Sequence, residues 1–151
     1  MVYNQPMKKS NVKLDLARGL IGLVTFLNLQ AAFQFMLVPE NYSPGFELSG
    51  VPGNAMIQGM GLLFLMWNIP YVAALIHPQK HFLSTIEAVV MQAVGLFGET
   101  ILLFTIKGEH RMIHESVVRF ILFDGGGLVL LLAALLLVLA LRREEKSAST
   151  E

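Results

Sequence analysis

Glu99, Arg119 and Asp124 stand inside long apolar stretches of the sequence. An ionisable side chain in such a setting is costly, and it turns toward a bundle interior or a cavity where it pairs, binds or carries protons. Gln30, Gln34, Gln58 and Gln92 share this setting, and Glu115 lies just ahead of Arg119. Spacing decides which of them can meet. Gln92 and Glu99 are seven apart and share a helix face, with Gly95 between them. Gln30 and Gln34 are four apart and also share a face. Glu115 and Arg119 have the spacing of a pair along one helix. In a regular helix Asp124 points well away from Arg119, although Gly125, Gly126 and Gly127 after it could distort the helix. The expected site is a polar pocket lined by Gln30, Gln34, Gln58, Gln92, Glu99, Glu115, Arg119 and Asp124, with Glu99 and Arg119 as its opposite charges. The plainer alternative is that these groups only lock helix against helix, as polar residues between membrane helices commonly do.

Other residues carry less chemistry. His110 and His114 share a helix face and have Glu109 and Glu115 nearby, but there is no H-E-x-x-H pattern and no thiolate. Solvated loop histidines are the expectation there, and neither a metal nor a cofactor is expected. No nucleophile–base motif, phosphate-cradling loop or dinucleotide fingerprint is readable, so no catalytic residue is assigned.

The elements that position these residues follow from composition. Of 151 residues, 54% are hydrophobic and 15% charged, which is too apolar for a soluble domain of this length. Net charge is zero, so nothing argues for nucleic acid, and the absence of cysteine excludes disulfides and thiol chemistry. A spanning helix needs about 20 mostly apolar residues. Four stretches qualify: about 16–38, 55–76, 83–106 and 116–141. Between the first two lies a Pro- and Gly-rich connection, and residues 142–151 form a polar tail expected to fray. The fold class is therefore an all-α integral membrane four-helix bundle in a single domain. Glycines 59, 61, 95 and 98 suit close helix packing, and Pro70 is expected to kink the second helix.

Lys8, Lys9, Lys13, Arg18, Lys80, Arg142, Arg143 and Lys146 fall on one side of such a bundle, against Lys107 and Arg111 in the loops of the other. Both termini are then expected in the cytoplasm of a multi-pass cell-membrane protein. Gln30, Gln34, Gln58, Glu99, Arg119 and Asp124 all fall in the outer half. Glu99, seven residues before the end of its helix, lies roughly 10 Å deep at about 1.5 Å per residue.

The stretches "ARGLIGLVTFLNLQAAFQFMLVP" and "RFILFDGGGLVLLLAAL" resemble the DoxX-like group of small bacterial four-helix membrane proteins, mainly in layout over residues 16–141. The resemblance implies the same four-helix plan and, for some members, association with membrane redox complexes. It implies no catalytic residue. Three functions remain open: a non-catalytic accessory or scaffold subunit, favoured by small size and short loops; a small-molecule binding protein or transporter using the outer pocket; and an acid–base enzyme on a lipid-like substrate. The partners expected are the lipid bilayer and either further copies of the chain or subunits of a membrane complex.

Overall fold

A computed structural model describes residues 6–149, with side chains from residue 12 onward. The side chains of Lys8 and Lys9, and residues 150–151 of the tail, lie outside the described residues. Among those described there are four α-helices and no strand: α1 (Pro6–Leu37), α2 (Gly50–Ile76), α3 (Phe82–Thr105) and α4 (Arg111–Ala148). All four are long and apolar enough to cross a membrane. Proline marks the boundaries. Pro39 and Pro78 follow the ends of α1 and α2. Pro70 is carried inside α2 without interrupting it.

Each helix packs on two neighbours, α1 on α2 and α4, and α3 on α2 and α4, while the diagonal pairs stay apart. The bundle is thus a ring of four, and α2 against α3 is its slightest contact. Its two ends differ. Toward the termini, Ala17, Ile21, Ala74, Ala88, Leu131, Ala134 and Val138 fill the axis as a continuous apolar core. Small residues there bring the helices close, and in an apolar medium that packing rather than water exclusion holds helices together. Large apolar side chains such as Phe26, Phe97, Phe104 and Leu122 face outward, the inverse of a soluble bundle.

Residues 142–148 of the tail continue α4 as helix, and its last turns find partners at the termini end. Lys13 pairs with Glu144, Gln79 Nε2 donates to Glu145 at 2.9 Å, and Arg142 donates to the Gln79 carbonyl at 2.9 Å. The Arg142 guanidinium also lies 4.3 Å over the Phe82 ring. The glycine run does not break α4 either, since the helix is continuous through Gly125, Gly126 and Gly127.

The glycines play separate parts. A Cβ on Gly61 would come within 2.7 Å of the Ala32 carbonyl and 2.8 Å of Met36, so Gly61 is where α1 and α2 touch. Gly59 and Gly98 face open space.

Candidate functional site

At the other end the axis is open. A partly open cavity of about 670 Å³ lies among all four helices, on the side of the 38–49 connection. It falls within the usual size of small-molecule sites, about 300–1,000 Å³. The floor is a hydrogen-bonded chain across three helices. Tyr71 Oη of α2 donates to Gln92 Oε1 of α3 at 2.7 Å, and Gln92 Nε2 donates to Asp124 Oδ1 of α4 at 2.8 Å. Two glycines make room for it. A Cβ on Gly95 would stand 2.0 Å from Asp124 Oδ2, and one on Gly127 would stand 2.6 Å from Gln92 Nε2.

The cap is the connection between α1 and α2, folded as two short 3-10 turns, Pro39–Asn41 and Ser43–Phe46. Ser116 Oγ donates to the Gly45 carbonyl at 2.7 Å, Tyr42 Oη donates to Gln34 at 2.7 Å, and Ser43 Oγ donates to Asn54 at 3.0 Å. Its aromatic residues continue a cluster from the helices: Phe35 lies 4.8 Å from Tyr42 and 5.7 Å from Phe64, and Phe46 lies 6.0 Å from Phe120.

Glu47 closes the cap. It adopts a left-handed backbone (φ 55°), which side chains other than glycine rarely take, and its carboxylate meets His110 Nδ1 at 2.7 Å. The Glu47 carboxylate, helped by Glu109, holds the His110 imidazole above its ordinary value. A group whose native value is raised contributes stability that is fully present below its unfolded value of about 6.5 and lost as pH rises through the native value. The contact is therefore tightest in mildly acidic solution. The expected result is that the His110 ring signals in NMR titrate above the ordinary histidine range, and that Glu47→Gln returns them to it. An unchanged midpoint in Glu47→Gln would exclude the pairing.

Five of the eight sequence-predicted binding residues line the cavity: Gln34, Gln92, Glu99, Arg119 and Asp124. Gln30 is exposed and lies outside the lining, Gln58 instead donates to the Met36 carbonyl at 3.2 Å, and Glu115 pairs with Arg111 at 2.8 Å. The expected Glu99–Arg119 pair is absent from the ion pairs among the described residues. Arg119 turns back along its own helix, donating to the Glu115 carbonyl at 3.3 Å and to Ser116 Oγ at 3.5 Å. The carboxylate that finds a partner across helices is Asp124, because α4 turns it toward Gly95, where no side chain stands in the way. Glu115 and Arg119 meet through a main-chain carbonyl instead of as an ion pair, since Arg111 takes the Glu115 carboxylate.

Tyr71, Asn68, Trp67 and the cap residues were missed as site residues. A signal existed for Asn68 and Tyr71: both are polar and stand at mid-span of an apolar helix, three residues apart and hence on one face. Among the described residues, two buried side-chain atoms lack a hydrogen-bond partner, Asn68 Oδ1 and Glu99 Oε2, and both residues line this cavity. No group of three His, Asp or Glu residues able to hold a metal occurs among the described residues. Compared with protein-family models, with curated proteins and with solved structures, the chain matches none.

Proposed function

We propose that this chain is a multi-pass membrane protein that binds a small, largely apolar molecule in the cavity beneath the 38–49 cap. The observation that carries the reading is the pair of partnerless buried polar atoms on a cavity of ligand size. A buried polar group left unpaired costs about 1–3 kcal/mol, and a ligand that pairs with it removes that cost. The accessory-subunit reading rests on small size, short loops and the lack of catalytic motifs, and no residue of the cavity bears on it. The enzyme reading has Glu99 and Asp124 in the cavity as proton carriers but no nucleophile beside them. Likeness to the DoxX-like group supports the four-helix plan and assigns no residue.

Gly98 gives the direct test, because it lines the cavity and a Cβ there would meet nothing within 4 Å. Gly98→Leu is expected to fold and unfold like the parent while losing any small molecule that native mass spectrometry finds on the parent extracted in its own lipid. A parent that carries a stoichiometric protein subunit and no small molecule would refute the binding reading.

The cell membrane is the proposed location, with both termini cytoplasmic. Support comes from Lys13, Arg18, Lys80, Arg142, Arg143 and Lys146 at the termini end, against Lys107 and Arg111 in the loops of the cap end. Glu40 is exposed on the cap, whereas Ser43 is buried, so Glu40→Cys is the residue to label in a chain with no cysteine of its own. Modification of intact cells by an impermeant reagent is expected. Modification only after lysis would invert the topology.

A further inference from the structure

We infer that the ligand is an organic cation carrying N–H donors, such as a primary or secondary ammonium on an aromatic or aliphatic body. The inference rests on the binding role proposed above and adds the ligand's chemical class. The hydrogen-bonding character of the cavity comes first. Asn68 is buried to 3% exposure, and its Nδ2 is already committed to the Phe64 carbonyl at 2.8 Å. What remains is Oδ1, an acceptor. The second partnerless atom, Glu99 Oε2, is an acceptor when the group is ionised, which is the form that a bound cation favours. Both unmet needs are for donors, and an ammonium supplies two or three of them.

Charge and shape agree. Two carboxylates, Glu99 and Asp124, line the cavity against one guanidinium, Arg119. Arg119 is exposed and hydrogen-bonded to the first turns of α4, so it occupies the mouth while Asp124 is held at the floor. Eight of the lining residues are aromatic. Ring faces attract a cation within about 6 Å of their centroids and also cover the apolar part of the molecule. An anion would meet the carboxylates and lack donors at the floor. A purely apolar guest would leave both acceptors unmet.

Trp67 is the single tryptophan of the chain and lines the cavity, so its fluorescence reports occupancy. The test titrates the full chain in lipid nanodiscs with three probes of one shape: 4-phenylbutylamine, 4-phenylbutanol and 4-phenylbutyric acid. The amine is expected to bind at least tenfold more tightly than the alcohol, and the acid most weakly. Glu99→Gln is expected to bring the amine down to the alcohol's affinity and leave the alcohol unchanged. The probe series on the unaltered chain decides the matter even if that variant does not fold. Equal binding of amine and alcohol, or a preference for the acid, overturns the cation assignment and leaves the cavity a binding site. No change in Trp67 fluorescence with any of the three overturns both.

Discussion

Gly61→Ala is expected to lower the stability of the bundle by about 2–3 kcal/mol, within the range for forcing added atoms into a packed contact. The new methyl would lie 2.7 Å from the Ala32 carbonyl, 2.8 Å from Met36 Cγ and 3.0 Å from Phe35 Cβ. One of these is main chain and cannot swing aside, so α1 and α2 must separate. Phe35 is the hub of the aromatic cluster under the cap, and the displacement reaches the cavity as well as the interface. Gly59→Ala, two residues away, is the control. Nothing stands within 4 Å of its Cβ, and the gain of helix propensity is worth at most about 1 kcal/mol in its favour. Unfolding in mixed micelles, followed by Trp67 fluorescence, measures both. Equal losses would show that α1 and α2 do not meet at Gly61.

The second large effect is expected at Gln92. Gln92→Leu removes both hydrogen bonds of the cavity floor, leaving the Tyr71 hydroxyl and the Asp124 carboxylate to find other partners. Single interhelical hydrogen bonds in membranes are worth about 0.6–1.7 kcal/mol, and orphaning a buried group adds to that, so the expected loss is about 2–3 kcal/mol. A double-mutant cycle separates the chain of hydrogen bonds from mere packing. Gln92→Leu combined with Asp124→Leu is expected to cost less than the sum of the two single changes, because the second removes a group that the first had orphaned. Strict additivity would mean that the two side chains do not interact.

Much of this was legible in the sequence because a bilayer leaves few choices. An apolar run of 20 or more residues in lipid must be helical, and the rise per residue converts position into depth. That is why Gln34, Glu99, Arg119 and Asp124 could be assigned to one end before their neighbours were known, while Gln92 was linked to Glu99 only by its spacing. Pairing was not legible, because it depends on the rotation of each helix about its axis. Charge suggested Glu99 with Arg119, but geometry joins Asp124 to Gln92, and the deciding atom is one that Gly95 lacks. The orientation of Asp124 away from Arg119 was readable; what it faced instead was not. The helical course of residues 142–148 was not legible for a different reason. Glu144 and Glu145 look solvated in isolation, and their partners Lys13 and Gln79 are remote along the chain.

The ring of four helices has one filled end and one open end, and the boundary between them is the Tyr71–Gln92–Asp124 chain. In this conformation a molecule held above that chain has no path through the filled end. Moving cargo across would require the Ala17–Ala74–Ala134 packing to part, a change in the body of the bundle rather than in the cap.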